Sequence, residues 1–142
     1  DRLLRMRMRS VKKMEMFIMS KELKPVVYVA GVFSNGDTLP LEDQERNRAA
    51  LRYYSAIFMK KGYAVLSPIE NDQWAFETGI ISYDEVIESD LAVIAKSDYI
   101  FFGPGWKDGH GTLIEYEFAK KNNIPILFDV DDVPHANDLH RR

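Results

Sequence analysis

Val26-Val27-Tyr28-Val29-Ala30, set between Pro25 and Gly31, decides the architecture. A run without polar alternation and rich in β-branched residues reads as a strand buried on both faces, the kind found in parallel sheets. Three more short apolar runs follow: Tyr63-Ala64-Val65-Leu66, stopped by Ser67-Pro68; Tyr99-Ile100-Phe101-Phe102; and Ile126-Leu127-Phe128. Helical patterns lie between them. From about Leu41 to Lys61, Asn47, Leu51, Tyr54 and Phe58 share one face, and Gly62 suits the C-terminal end. Ser82 or Tyr83 opens a second helix to about Ser97, with Ile87, Leu91 and Ile94 as its stripe, and Gly111 to Asn123 reads as a third. Residues 32–41 and 69–82 read as loops, the second long enough to be a candidate functional loop. Strands alternating with helices predict an α/β, three-layer, single-domain sandwich. Its parallel sheet of about four to five strands has helices on both faces and right-handed crossovers. Ligands bind such sheets beyond the carboxyl ends of the strands, here the Gly31 loop, residues 67–82 and the Gly103 loop.

The composition narrows the function. Hydrophobic residues make up 46% and charged residues 29%, ordinary for a soluble globular chain of 142 residues. There is no cysteine, which removes disulfides and thiolate chemistry and fits a reducing cytoplasm. Histidines at 110, 135 and 140 are too scattered for a metal cluster, so no metal or cofactor is expected. Residues 1–24 carry eight Lys/Arg against three Asp/Glu, and the whole chain is at −3, so the remainder is acidic. An acidic body argues against a nucleic-acid surface, and no apolar run is long enough to span a membrane. Five of the six methionines lie in the first 19 residues, and Met19-Ser20-Lys21 resembles a chain start. Residues 1–24 are therefore read as a basic extension, non-native or disordered: upstream sequence, a tag remnant or a frayed helix. The functional domain is assigned to 25–130, and 131–142 to a tail without clear pattern that leaves room for a short terminal helix or strand.

Two carboxylates occupy positions where the helical pattern asks for apolar residues. Asp90 falls between Ile87 and Ile94, and Glu115 falls between Ile114 and Phe118-Ala119. A buried carboxylate is either satisfied structurally or used chemically, and for each taken alone the two readings are balanced. Glu115 is expected in the first turn of a helix entered from a strand end, where anionic ligands gather. The turn before it, Gly103-Pro104-Gly105-Trp106-Lys107-Asp108-Gly109-His110-Gly111, holds four glycines and lets a ligand approach the backbone. It lacks the Gly-Lys-Ser/Thr ending of a phosphate loop, and Gly31-Val32-Phe33-Ser34-Asn35-Gly36 lacks the second glycine of the dinucleotide fingerprint. Trp106 either stacks on a planar ligand or packs on neighbouring structure, and His110 is equally a solvated turn residue or a functional one.

Tyr28-Val29-Ala30-Gly31, Glu88-Ser89-Asp90-Leu91 before Ala95-Lys96-Ser97-Asp98, and Gly105 through Glu115 occur in that order. Together they resemble the nucleoside 2-deoxyribosyltransferase-like superfamily over residues 25–128. The nearest likeness is to its small bacterial and phage members with a Gly-Trp-x-x-Ser-x-Gly-x-x-x-Glu signature, related to deoxynucleoside 5′-monophosphate N-glycosidases. The resemblance implies flavodoxin- or Rossmann-like strand order and cleavage or transfer of an N-glycosidic bond of a (deoxy)nucleoside or its 5′-monophosphate. It makes Glu115 the nucleophile at C1′, Asp90 the acid beside the base, and Tyr28 the tyrosine that orients the nucleophile. It places substrate among Gly31, Phe33, Ser34, Asn35, Gly105, Trp106, Asp108, Gly109, His110 and Gly111. It also implies a homo-oligomer, dimer or tetramer, to which the aromatics Tyr53, Tyr54 and Trp74 are suited. Gly109 stands where the signature has the serine that helps hold a 5′-phosphate; Ser34, Asn35, the Gly36 backbone and Lys107 are the substitutes available. A nucleotide-sensing module without catalysis and a glycosidase acting on NAD are the competing readings.

Overall fold

The computed structural model describes residues 1–19 and 23–139. Four strands, β1 (Val26–Ala30), β2 (Ala64–Leu66), β3 (Tyr99–Phe102) and β4 (Ile126–Leu127), form one parallel sheet in the order β2-β1-β3-β4. Val27 pairs with Val65, Tyr28 with Ile100, and Phe101 with Leu127. The expected α/β sandwich and its strand order are therefore the ones observed.

The two-residue period of a strand splits β1 between two cores. Val27 and Val29 join Phe101 on one face, under Leu51 and Phe58 of α2 (Leu41–Lys60). Tyr28 and Ala30 join Ile100 and Phe102 on the other. That face is covered by Ile94 of α5 (Tyr83–Ala95) and Ala119 of α6 (His110–Lys121). Each large apolar side chain so buried contributes about 1.5–3 kcal/mol. A Cβ on Gly31 would stand 2.5 Å from Leu51 Cδ2, so glycine is what lets β1 turn out under α2.

The structure adds detail in three segments. Residues 69–82 are not simply a loop: they contain α3 (Pro68–Asn71) and α4 (Gln73–Glu77). Pro68 has no N–H to lose at a helix start, so it begins α3 where it was read only as a strand stop. The tail is tied to the body. Lys61 Nζ donates to Val130 O and Val133 O at 2.6 Å each, Tyr63 donates to Pro134 O, and Val133 and Ala136 enter the α2-side core. In the basic extension, α1 (Arg2–Met19) is helical, with residues 2–16 exposed. Residues 20–22 and His140 lie outside the described residues. Among the described residues no helix is long and apolar enough to cross a membrane.

A reversal point for ligands

Strand order reverses at β1, whose successor β2 lies on one side and β3 on the other. Connections leave such a point in opposite directions and open a crevice at the strand ends. A cleft lies there, walled by the Gly31–Gly36 loop, by Pro68–Gln73, by one face of α5 and by the start of α6.

Candidate active site

Asp90 from α5 and Glu115 from α6 line this crevice, Tyr28 of β1 lies beside both, and all three are buried. α5 is set in place by a capping box. Ser82 Oγ accepts the Glu85 N–H, and the Glu85 carboxylate accepts the Ser82 N–H. From that fixed start Tyr83, Val86, Ile87 and Asp90 recur at helical spacing along the cleft. Glu115 is the sixth residue of α6, a turn deeper than the expected first turn. Its burial therefore owes little to the helix dipole, which fades beyond that first turn. It comes from α6 packing against α5.

The electrostatics follow from burial. Asp90 is raised to about 9, first by loss of solvent, then by a hydrogen-bond relation and repulsion with Asp72, then by Glu115. Glu115 is raised to about 7, again chiefly by burial. The Tyr28 hydroxyl acts in the opposite direction on both carboxyls, and its own ionisation is driven well up by burial and by those same carboxylates. Its oxygen nevertheless makes no hydrogen bond of good geometry, so the relation is one of proximity. Glu115 Oε2 and Ser67 Oγ are likewise buried without a partner. Of these three atoms, that of Glu115 belongs to a residue lining the cleft.

Residues 25–128 match a family described as a domain of unknown function, DUF4406. The chain belongs to that family. Among solved structures it is similar to a 2-deoxyribosyltransferase from the psychrotolerant bacterium Bacillus psychrosaccharolyticus. Identity is 20%, with 72% of this chain and 70% of that chain covered and a TM-score of 0.51, a likeness of fold. No protein of curated function matches it in sequence.

In this DUF4406 domain Gly31, Phe33, Ser34, Asn35, Gly109 and Gly111 line the same cleft as Tyr28's two carboxylate neighbours. Asn35 serves as a strap: its Nδ2 donates to Asp108 O at 3.5 Å and its Oδ1 accepts the His110 N–H at 3.2 Å. The strap ties the β1 loop to the turn before α6. Gly105, Trp106 and Asp108 do not reach the Glu115 cleft. Trp106 packs on Tyr116 at 4.5 Å and on Phe102 and Phe128. With Gly105 and Asp108 it lines a separate recess. Of its two sequence readings, packing is the one seen. His110 is exposed at the rim, with Nδ1 3.4 Å from the Tyr83 hydroxyl. Trp74 and Tyr53 are exposed, while Tyr54 packs on Phe101.

Asp72, Tyr83 and Thr112 line the cleft and escaped the sequence reading. Tyr83 stands seven residues before Asp90, and Thr112 three before Glu115, so helical spacing held a signal for both. Asp72 lies between α3 and α4, and no periodic pattern marks it.

The shifted carboxyls set a pH dependence of stability. Their folded pKa values exceed the unfolded ones, so the stability they contribute is whole below about pH 4. It is lost as pH rises through about 7 for Glu115 and about 9 for Asp90. Asp90→Asn should therefore match the parent near about pH 4 and become the more stable protein by about pH 9, as read by urea denaturation. An equal difference at both pH values would contradict the shift.

Proposed function

We propose that this domain cleaves or transfers the N-glycosidic bond of a (deoxy)nucleoside or nucleoside 5′-monophosphate through a glycosyl ester on Glu115. One observation carries the reading. A buried carboxylate oxygen without a partner, Glu115 Oε2, shares a cleft with an acid that keeps its proton at neutral pH, Asp90 beside Asp72. Two carboxyls with separated pKa values divide the roles of nucleophile and acid. The name of the structural neighbour, a 2-deoxyribosyltransferase, agrees with this chemistry.

In the first step the ionised Glu115 attacks C1′ and forms a C–O bond. The C1′–N bond breaks, and the base leaves with the electron pair and the proton held by Asp90. In the second step water or another nucleobase attacks C1′, and Glu115 leaves as carboxylate. The incoming nucleophile returns its proton to Asp90, so charge and atoms balance. Tyr28 favours the ionised form of Glu115 and so supports both its attack and its departure.

Glu115→Ala should reduce base release from a panel of deoxynucleosides and their 5′-monophosphates by roughly a thousandfold or more, read by chromatography of the free base. Activity that survives the change would place the nucleophile elsewhere. For the parent, kcat/KM should rise as Glu115 ionises near about 7 and fall as Asp90 loses its proton near about 9, a bell whose two limbs belong to the coupled carboxyls. A profile flat from about pH 5 to 10 would contradict the assignment of roles.

A further inference from the structure

Leu3, Leu4, Met8, Val11 and Met14 recur along α1 at spacings of three, four, seven and eleven residues, which gathers them on one face. Arg2, Arg5, Arg9, Lys12 and Lys13 recur in the same way on the opposite face. Asp1 starts the helix: its carboxylate accepts the Leu3 N–H at 3.0 Å and its carbonyl accepts the Arg5 N–H at 3.1 Å. The five apolar residues are each more than half exposed, so the structure leaves their face uncovered. We propose that α1 is an interfacial helix for an anionic lipid surface, with its apolar face among the acyl chains and its basic face on the headgroups. This stands independently of the chemistry proposed for the cleft.

The charge pattern of α1 asks for an anionic partner. Arg2 stands three residues from Arg5, Arg5 four from Arg9, and Arg9 three and four from Lys12 and Lys13. Like charges at those spacings repel and loosen a helix in water. On the helices of the globular domain the pattern is the reverse: Arg46 pairs with Asp43, Arg48 with Glu45 and Lys120 with Glu117. Among the described residues the cations of α1 have no such acid beside them. Glu15 is its one acidic residue. An anionic surface supplies the missing charge, and the helix gains there the stability that a solvated helix of its length lacks. The rest of the chain is acidic, so α1 is the part that such a surface attracts.

The apolar face and Arg7 decide which anionic partner fits. A polyanion such as RNA would take the basic face and leave the leucines and methionines opposite in water. A second protein surface would cover them, but it would also bury Arg7, three residues after Leu4 and four before Val11 on the same side. Lipid headgroups remove that cost. The Arg7 stem lies along the apolar side while its guanidinium reaches up to the phosphates. A helix of this kind rests in the plane of the interface and needs no spanning length.

Co-sedimentation of the full chain with lipid vesicles tests the proposal. Vesicles of phosphatidylcholine and phosphatidylserine in equal parts should bind it roughly tenfold or more tightly than phosphatidylcholine alone. That preference should shrink as salt is raised, and the circular-dichroism signal of helix should grow on binding. Leu4→Lys combined with Val11→Lys separates insertion from charge attraction. Lysine favours helix and adds positive charge, so the double variant should bind more weakly only if the apolar face enters the bilayer. Stronger binding by that variant overturns the proposal, as do equal binding to both vesicles and binding to neither. Tighter binding to polyuridylate than to the anionic vesicles overturns it in favour of RNA. An oligomer of the full chain that the double variant dissociates overturns it in favour of a second copy.

Discussion

Asp72, Asp90 and Glu115 bring three carboxyl groups to one cleft beside the Tyr28 hydroxyl. At an effective dielectric of about 20, two anions about 4 Å apart repel by about 4 kcal/mol, near three pK units. Desolvation adds to that cost. The group cannot all be ionised at neutral pH, so Asp90 keeps its proton while Glu115 titrates near neutrality. A protein that needed only stability would place leucine here. The cost is local, and the two cores on either face of β1 offset it.

The scaffold explains why these groups meet. β1 is the strand at which sheet order reverses, and its period of two sends Tyr28 to the α5–α6 face while Val27 and Val29 anchor the α2 face. Short contacts at glycine positions bring the walls together. Gly111 leaves room for the Tyr83 hydroxyl, and Gly109 for Thr112 and Val32. The Asn35 strap then fixes the β1 loop against the turn that opens α6. The site is thus built on a strand and two helices, with loops serving as its rim.

The strands were legible because each is a continuous apolar run, and β3 falls on the residues expected of it. Asp90 and Glu115 were legible because each interrupts an apolar helical stripe, a local signal that needs no knowledge of neighbours. Asp72 was not, because its meaning depends on α3 and α4 folding over the cleft, a tertiary event. The same holds for Trp106, whose glycine-rich setting suggested a ligand but whose rings of Tyr116, Phe102 and Phe128 arrive from α6, β3 and the end of β4. Glu115 lies beyond the first turn of α6, and the helix begins at His110, one residue before its expected start.

The central claim is a covalent bond between Glu115 and the anomeric carbon. Incubation with a 2′-deoxy-2′-fluoroarabinosyl nucleoside, whose fluorine slows the second displacement, followed by peptide mass spectrometry, addresses it directly. The account predicts release of the base and one added fluoro-sugar on the peptide containing Glu115. Base released with no adduct, or an adduct on any other residue, would contradict it.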